Sequence, residues 1–331
     1  MTRIAILGGG SWGTALSVVL SRSARSHEIA LWVHDRKLAG STRRDRENSA
    51  YLPGITLPEQ VRVSDEIGEA LAGAQIVLGV MPSAHARAVY SAAAGKVSKH
   101  ASFVSATKGL EPATHMRASQ VIAELIPSSR IAVLSGPSFA MEVARGEPTA
   151  VVLASHHEAL ASELQEEFAA PNFRLYTNHD VLGVELAGAM KNVIAIAAGV
   201  CQGLGLGSNP VAALVTRGLA EMSRLSMALG ARPETLSGLA GLGDLVLTCT
   251  GALSRNRQVG VELGKGRSLV EILAGMRMVA EGVDTAAPLM ALAGENSIEL
   301  PLTAQVEAIL HQRKSPREAI RAIMERPQRK E

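Results

Sequence analysis

The stretch Ile4-Ala-Ile-Leu-Gly8-Gly-Gly10-Ser-Trp-Gly13-Thr-Ala-Leu16 places an apolar strand directly before a G-x-G-x-x-G turn and an apolar helix. Gly8 permits the tight turn, Gly10 lets a pyrophosphate approach the backbone, and Gly13 lets the helix pack closely on the strand. The helix N-terminus then presents free N–H groups and the positive end of its dipole to an anion. The pattern predicts a dinucleotide-binding βαβ unit.

A second apolar strand, Ile29–Val33, follows the helix and leads into an acid, Asp35, which lies 22 residues beyond Gly13 (35 − 13). That is about the distance expected of the acid that binds the adenosine ribose, so Asp35 favours a free 2′-hydroxyl. The residues around it, His34, Arg36 and Lys37, suit a 2′-phosphate instead. The sequence therefore indicates NAD or NADP and leaves the choice between them open. The alternative, a glycine-rich turn without a nucleotide, is disfavoured because strand, glycines, helix and acid occur in order.

The composition is typical of a soluble globular protein, since 47% of the 331 residues are hydrophobic and 19% are charged. The formal net charge of +2 is too small to indicate a nucleic-acid partner. The two cysteines, Cys201 and Cys249, have no metal-ligand spacing, and a chain of this length needs no disulfide framework. We therefore expect no metal site, reduced thiols and a cytoplasmic location.

Apolar stretches that end in polar residues recur up to about residue 178. The predicted strands are Ile4–Leu7, Ile29–Val33, Gln75–Val80, Ser102–Ala106, Ile131–Leu134, Thr149–Leu153 and Phe173–Tyr176. Helical stretches separate most of them, so we expect a Rossmann-type α/β domain over residues 1–178, with a mostly parallel sheet covered on both faces. Ligands of such sheets collect at the carboxyl ends of the strands, where this chain places Ser11, His34, Asp35, Ser83, Lys108 and Ser138.

Beyond residue 178 the strand patterns stop, and residues 179–331 are predicted to form an all-helical domain. A long apolar helix is expected over Asp180–Ala198, a Gly-rich loop over Cys201–Asn209, and a further helix from Pro210 to about Leu229, since proline fits the first turn of a helix.

The long apolar helix carries Lys191 among Ala, Met, Val and Ile side chains. The helix has about the length of a membrane span, but Glu185, Lys191 and Asn192 interrupt it, which favours a core helix. A desolvated lysine is suited to general acid–base chemistry. A lysine that reaches the surface or pairs with Glu185 is an equally good interpretation of the helix pattern.

Asp244 follows a glycine turn and opens another apolar helix, where aspartate is a good N-cap. Thr248 lies four residues later on the same helix face, so the two side chains are also placed to act together on Lys191 and a substrate hydroxyl.

The stretch Ser254-Arg255-Asn256-Arg257 combines anion donors with a helix start, as a phosphate site requires, although a solvated basic helix start fits it equally well. Lys108, at a strand end, is a further candidate ligand for an anion or a carbonyl.

These blocks resemble the bacterial NAD(P)-dependent glycerol-3-phosphate dehydrogenases from about Ile4 to His311. The matching blocks are Gly8–Gly13, Ala106–Leu110, Ser135–Ala140, Lys191–Ala195, Gly218–Met222, Ala240–Thr250, Ser254–Arg257 and Glu281–Gly282. The departures are mild: Trp12 stands where tyrosine or phenylalanine also occurs, and Ser138 where threonine also occurs. The segment Gly264–Val279 matches least well.

The resemblance implies reversible reduction of dihydroxyacetone phosphate to sn-glycerol 3-phosphate with NADH or NADPH, and a role in supplying phospholipid precursor. The implied helical domain resembles the C-terminal domain of 6-phosphogluconate dehydrogenase, and the implied protein is a homodimer without stable membrane insertion. Lys191 would be the catalytic proton acceptor and donor. The implied substrate-binding residues are Lys108, Gly136, Ser138, Lys191, Asp244, Ser254, Arg255 and Asn256. The expected cofactor-binding residues are Gly8, Gly10, Ser11, Trp12, Gly13, His34, Asp35, Lys108, Ala140, Arg255, Val279 and Glu281.

Two other hypotheses stay open at this point. One is a reductase of the same build that acts on another oxo acid or amino acid. The other is a protein that senses NAD(H) without turnover, which the joint presence of Lys191, Lys108 and Asp244 disfavours.

Overall fold

The computed structural model describes residues 1–127 and 130–327. Within these ranges the strands are β1 (Thr2–Leu7), β2 (His27–Trp32), β3 (Val61–Ser64), β4 (Ile76–Gly79), β5 (Ser102–Ser105), β6 (Arg130–Ser135), β7 (Thr149–Ala154) and β8 (Phe173–Asn178). They form an eight-stranded sheet in the order β3-β2-β1-β4-β5-β6-β7-β8. All neighbouring strands are parallel except β6 and β7. The predicted mostly parallel sheet is therefore confirmed.

The helices lie between the strands in the first half of the chain and follow one another in the second half. Those of the first half are α1 (Ser11–Leu20), α2 (Arg36–Asp45), α3 (Ile67–Leu71), α4 (Ser83–Ala93), α5 (Ala118–Leu125), α6 (Ala140–Arg145) and α7 (Glu158–Phe168). Those of the second half are α8 (Val181–Gly203), α9 (Ser208–Ala228), α10 (Pro233–Ser237), a π-helix (Leu239–Gly243), α11 (Asp244–Thr250), α12 (Arg255–Gly264), α13 (Leu269–Ala274), α14 (Glu281–Glu295), α15 (Pro301–His311) and α16 (Pro316–Met324). The predicted all-helical second half is confirmed for the described residues.

The sheet is buried on both faces. Ile4 and Ile6 of β1 belong to one apolar cluster, and Ala5 and Leu7, which point the opposite way, belong to another. A parallel strand covered on both sides needs apolar residues at consecutive positions, which is why β1 reads as a continuous apolar run.

The order of the strands reverses at β1, which lies between β2 and β4. In open α/β sheets, ligands bind at the carboxyl ends of the strands beside such a reversal. Gly8 follows β1 there, and a Cβ on Gly8 would lie 2.9 Å from the main-chain carbonyl of Val80, which follows β4. The fold therefore places the glycine turn at the expected ligand edge.

The structure corrects some of the predicted element bounds. The strand β3 (Val61–Ser64) was not expected, because four residues at the edge of a sheet leave a weak pattern. The helix expected to end at Ala198 continues to Gly203, which shortens the predicted Gly-rich loop. Interior packing extends this helix beyond what its glycines alone would favour.

Contacts divide the chain into two units, of which the first comprises Met1–Glu111 and Met116–Glu185, and the second comprises Pro112–His115 and Leu186–Glu331. The division falls inside α8. The boundary expected between residues 178 and 179 stays a prediction.

In the first unit, Glu185 is anchored to the start of α5. Its carboxylate accepts hydrogen bonds from the Ser119 main-chain N–H at 2.8 Å, the Ser119 hydroxyl at 2.5 Å and the Arg117 guanidinium at 2.6 Å. Glu185 is buried, so these donors replace the water that the carboxylate loses. The alternative in which Lys191 pairs with Glu185 is therefore wrong, because Arg117 and Ser119 at the start of α5 bind the Glu185 carboxylate.

Helix α8 is long and apolar enough to cross a membrane by length and composition alone, and 94% of its most apolar stretch is buried within the protein. The core helix of a soluble protein can be equally long and apolar. The burial of α8 agrees with the core helix that the sequence predicted.

In the second unit, α8 and α12 touch through their backbones. A Cβ on Gly199 would lie 2.0 Å from the main-chain oxygen of Arg257, and one on Gly260 would lie 2.0 Å from that of Ile196. Only glycine fits such an approach. The contact holds the beginning of α12 close to the helix that carries Lys191.

Candidate active site

The side chain of Lys191 is buried, with 6% of the residue exposed, and its Nζ faces two polar partners from α11. Nζ donates to the Asp244 carboxylate at 2.6 Å and to the Thr248 hydroxyl at 2.9 Å. Thr248 in turn donates to the main-chain oxygen of Asp244 at 2.6 Å. These bonds fix two of the three ammonium N–H groups and so orient the lysine.

Asp244 is the first residue of α11, and Gly243 occupies the cap position. The Asp244 carboxylate is almost completely buried and accepts the hydrogen bond from Lys191. The N-cap interpretation is wrong, because Asp244 is already a helical residue and Gly243 is the residue at the cap. The reason is that a π-helix leads directly into α11, so the chain is already helical when it reaches Asp244.

Two asparagines link three helices next to Lys191. The Asn256 side chain donates to the Asn192 side-chain oxygen at 2.9 Å and accepts from the main-chain N–H of Gly282 at 2.9 Å. A Cβ on Gly282 would lie 2.6 Å from the main-chain oxygen of Asn192. The network ties α12 and the start of α14 to the residue that follows the lysine.

Arg255 and Ser254 lie at the start of α12. The Ser254 hydroxyl caps this helix by accepting from the Arg257 N–H at 3.3 Å. Burial lowers the pKa of the Arg255 guanidinium from its ordinary value, and the negative charge of Glu281 opposes that effect. Arginine keeps its charge despite such a shift. A half-buried cation at a helix N-terminus is a suitable site for a phosphate.

In the first unit, three of the expected substrate residues form one cluster at the ends of β5 and β6. The Lys108 ammonium and the Ser138 hydroxyl both donate to the main-chain oxygen of Gly136, each at 2.9 Å. Gly136 has a φ of +125°, a conformation that side chains rarely allow. Gly136 is buried, whereas Lys108 and Ser138 are half-buried.

The glycine turn fits a dinucleotide. A Cβ on Gly10 would meet no atom within 4 Å, so the backbone is open to a ligand there, whereas one on Gly13 would lie 1.9 Å from the Gly8 oxygen. The cap residue of α1 is Gly10, which has no side chain to cap the helix, and the first turn of α1 contains no acidic residue. The beginning of this helix is therefore suited to an anion such as a pyrophosphate.

Trp12 and Ala140 pack against the same small cluster, formed by Ala15, Leu52 and Ala144. The Trp12 indole N–H is buried and lacks a hydrogen-bond partner in the described part of the chain. The Ser11 hydroxyl donates to the main-chain oxygen of Tyr51 at 2.8 Å. The structure therefore brings these three expected cofactor residues to the glycine turn.

The residues after β2 have local partners of their own. Asp35 caps α2 by accepting from the Leu38 N–H at 2.8 Å. The exposed Arg36 pairs with the half-buried Asp65 at 3.3 Å and with the exposed Glu66 at 2.8 Å. The exposed His34 lies edge-on to Trp32, with ring centroids 5.6 Å apart. Asp35, which favours a free 2′-hydroxyl, and the positive residues beside it, which suit a 2′-phosphate, thus both have local partners.

The last two expected cofactor residues belong to the second unit. Val279 is 40% exposed in the segment before α14, and Glu281 is the first residue of that helix. The negative charge of Glu281 acts on the Arg255 guanidinium, so Glu281 and Arg255 belong to the same site.

Sequence reasoning missed the glycine contact between α8 and α12. Its signal is the repeated spacing of four residues in Gly199/Gly203 and Gly260/Gly264, which lets two helices approach closely. Sequence reasoning also missed that Glu185 binds the start of α5. A single acidic residue in an apolar helix does not indicate its partner.

We expect the buried thiols to react slowly in the folded protein. Burial raises the pKa of Cys249 to about 12 and also raises that of Cys201. The thiolate is the nucleophile, so an aromatic disulfide reagent at mildly alkaline pH should react at least ~100-fold more slowly with the native than with the unfolded chain. A Cys201→Ser variant isolates Cys249, and fast reaction of that native variant would contradict the expectation.

Comparisons with known proteins agree along the whole chain. The family models for the N-terminus and the C-terminus of NAD-dependent glycerol-3-phosphate dehydrogenase match residues 3–161 and 180–321. A glycerol-3-phosphate dehydrogenase (NAD(P)+) from Koribacter versatilis is 55% identical over 99% of this chain and 98% of its own length. One from Acidobacterium capsulatum is 52% identical over 100% of both chains.

A solved structure, glycerol-3-phosphate dehydrogenase from Coxiella burnetii, has a TM-score of 0.95 and 41% sequence identity, and the match covers 98% of this chain and 99% of that one. The sequence matches and this structural match agree with each other. The chain belongs to the family of NAD-dependent glycerol-3-phosphate dehydrogenases.

Proposed function

We propose that the protein catalyses the reversible reduction of dihydroxyacetone phosphate to sn-glycerol 3-phosphate with NADH or NADPH, and that it supplies glycerophospholipid synthesis. The family supports this reaction. The observation that carries it is the buried Lys191 ammonium, held 2.6 Å from the Asp244 carboxylate. Residues 1–178 bind the dinucleotide, and residues 179–331 carry the proton-transfer group.

When bound, the reduced nicotinamide supplies a hydride to the carbonyl carbon, and the oxidised form takes it back in the reverse direction. Negative charge develops on the carbonyl oxygen during reduction. The Lys191 ammonium stabilises this charge and gives up a proton to the oxygen. In the oxidation of the alcohol, the neutral Lys191 amine accepts that proton. Asp244 and Thr248 keep Nζ oriented in both directions.

The substrate phosphate is bound at the beginning of α12. Arg255 provides the charge and the planar fork, Ser254 and Asn256 provide polar groups, and the helix N-terminus adds its dipole. Binding energy from the phosphate holds a small ketone in place, so substrates without a phosphate should lose turnover as well as affinity.

Lys108, Gly136 and Ser138 contact the polar part of the substrate. Support comes from their common cluster, in which an ammonium and a hydroxyl converge on one carbonyl oxygen. Lys108 also contacts the cofactor.

The cofactor contacts proposed in the first unit are Gly8, Gly10, Ser11, Trp12, Gly13, His34, Asp35 and Ala140. Those proposed in the second unit are Arg255, Val279 and Glu281. Support comes from the open backbone at Gly10 and from the absence of an acidic residue in the first turn of α1.

The protein is also proposed to be a cytoplasmic homodimer that binds no nucleic acid and does not insert into a membrane. Most of the exposed large apolar side chains lie in the second unit, which supports association between two copies. Apart from Val279, which is proposed above as a cofactor contact, these residues are Leu206, Met227, Leu242, Val246, Leu253, Val270, Leu273 and Met324.

The reaction is tested by the loss of reduced-nicotinamide absorbance with dihydroxyacetone phosphate, measured in parallel with NADH and NADPH. We expect turnover with at least one cofactor, and the ratio of the two rates shows whether Asp35 or the positive residues beside it decide the choice. Cofactor binding without turnover would contradict the proposal and favour another carbonyl substrate or a sensor of NAD(H).

A further inference from the structure

The loop Arg46–Leu57, which follows α2, is closed on itself. The Leu57 N–H donates to the Arg46 oxygen at 2.7 Å, and the Gly54 N–H donates to the Glu47 carboxylate at 3.0 Å. The Arg46 side chain donates to the main-chain oxygens of Val61, Leu57 and Pro58. A compact surface loop whose ends meet and whose own groups hold it together provides a rigid frame for the side chains it carries.

One side chain of this loop, Asn48, points inward and is completely buried. Its amide nitrogen donates to the main-chain oxygen of Gly9 at 2.8 Å and to the Thr14 hydroxyl at 2.9 Å. Gly9 lies inside the glycine turn, and Thr14 lies in the first turn of α1. The Asn48 amide therefore donates two hydrogen bonds that link the glycine turn to the beginning of α1.

The backbone after Asn48 is also held in place. The N–H groups of Tyr51 and Leu52 donate to the Asn48 oxygen at 3.2 Å and 2.8 Å, and the Ser11 hydroxyl donates to the Tyr51 oxygen. Leu52 is buried in the cluster against which Trp12 packs. The loop thus meets the turn at several points, and Asn48 makes the central one.

A turn of three glycines has more conformational freedom than any other sequence, and fixing it costs entropy. If that cost fell on ligand binding, the affinity for a nucleotide would drop. Asn48 removes this freedom before the ligand arrives, because a buried bridge between Gly9 and Thr14 holds the N–H groups of the turn in one arrangement.

We propose that Asn48 is a positioning residue for the nucleotide: it pre-organises the turn from Gly9 to Thr14 so that the turn accepts the pyrophosphate of NAD(H) or NADP(H). The proposal rests on the proposed function, since that function requires a dinucleotide at this turn. Asn48 acts through the backbone of the turn and needs no contact with the reacting atoms.

The test compares Asn48→Ala and Asn48→Asp with the wild-type enzyme. We expect the Kd of NADH and NADPH, measured by isothermal titration calorimetry, to rise about tenfold or more, because a lost buried hydrogen bond costs about that factor. The KM for the nucleotide should rise in parallel. At saturating nucleotide, kcat and the KM for dihydroxyacetone phosphate should stay within about twofold, a split that general destabilisation would not produce.

The matched control is Asn172→Ala, which removes another asparagine-to-carbonyl hydrogen bond, of 2.6 Å to Gly146, in the same unit. Its Kd for both nucleotides should equal that of the wild type. Thr14→Val removes one of the two bonds of Asn48 with little change in size, and we expect a smaller rise in Kd. If the Asn48 variants fold poorly, Thr14→Val tests the proposal in their place. The double variant should have nearly the same Kd for the nucleotide as Asn48→Ala alone, because the two side chains share one hydrogen bond.

Wild-type nucleotide affinity in folded Asn48→Ala and in Thr14→Val, in an enzyme that turns over normally, would overturn this inference alone. The same would follow if kcat fell while the Kd of the nucleotide was unchanged, or if Asn172→Ala weakened binding equally. A wild-type protein that binds neither nucleotide would overturn the proposed function together with the inference.

Discussion

Replacing Lys191 by methionine is expected to lower kcat at least ~1000-fold, while the Kd of NADH and NADPH changes less than about twofold. Methionine keeps the apolar stem of the lysine but removes the group that stabilises the developing oxyanion and supplies the proton. Steady-state kinetics in both directions, together with calorimetric titration of the cofactor, measure the two effects separately. Nearly normal turnover in this variant would contradict the proposed mechanism.

The same substitution affects stability, because it leaves the Asp244 carboxylate buried without its cation. Breaking one side of a buried ion pair costs about 3–5 kcal/mol in the free energy of unfolding. Urea unfolding should show this loss, and a second change, Asp244→Asn, should restore part of it without restoring kcat. The separation of the two effects shows that the loss of turnover is not a loss of folding.

Lys265→Ala is the matched control for Lys191. Lys265 also pairs with a carboxylate of the second unit, Glu262 at 2.8 Å, but the Lys265 side chain is 56% exposed. Exposed pairs contribute about 0–1 kcal/mol, and this one lies outside the proposed site. The kinetics and stability of this variant should therefore match those of the wild type.

The parts of the fold and site that depend on one segment could be predicted from the sequence. The glycine turn is one example, because its strand, glycines and helix are adjacent in the chain. The closeness of Lys108 and Ser138 is another, since the carboxyl ends of parallel strands meet at one edge of the sheet. Gly136, between them, was expected only from the resemblance to the family.

The parts that depend on packing between distant segments could not be predicted. The sequence alone did not decide which group binds the Lys191 ammonium. The structure shows that it is Asp244, 53 residues further along the chain and 2.6 Å from Nζ. Asn48 is a polar residue in a polar stretch, and only the closure of its loop onto Gly9 shows what it does. The strand β3 (Val61–Ser64) forms because β2 is already in place beside it, which four residues alone do not signal.

The second large effect is expected at Arg255. Replacing Arg255 by alanine should lower kcat/KM for dihydroxyacetone phosphate about 100-fold or more, since it removes charge-assisted hydrogen bonds of about 1.5–3 kcal/mol each. Unphosphorylated dihydroxyacetone, a poor substrate without its phosphate, should be affected much less. The ratio of the two losses, measured by steady-state kinetics, isolates the contribution of the phosphate.

Two further variants show what Arg255 recognises. Arg255→Lys keeps the charge but loses the planar fork, so its kcat/KM should lie between those of the wild type and the alanine variant. Arg267→Ala removes an exposed arginine that pairs with Glu262 at 3.0 Å, and it should behave like the wild type. If Arg255→Ala weakened cofactor binding as much as it weakened use of the phosphorylated substrate, Arg255 would serve mainly the nucleotide. The substrate phosphate would then depend on Ser254, Asn256 and the helix N-terminus.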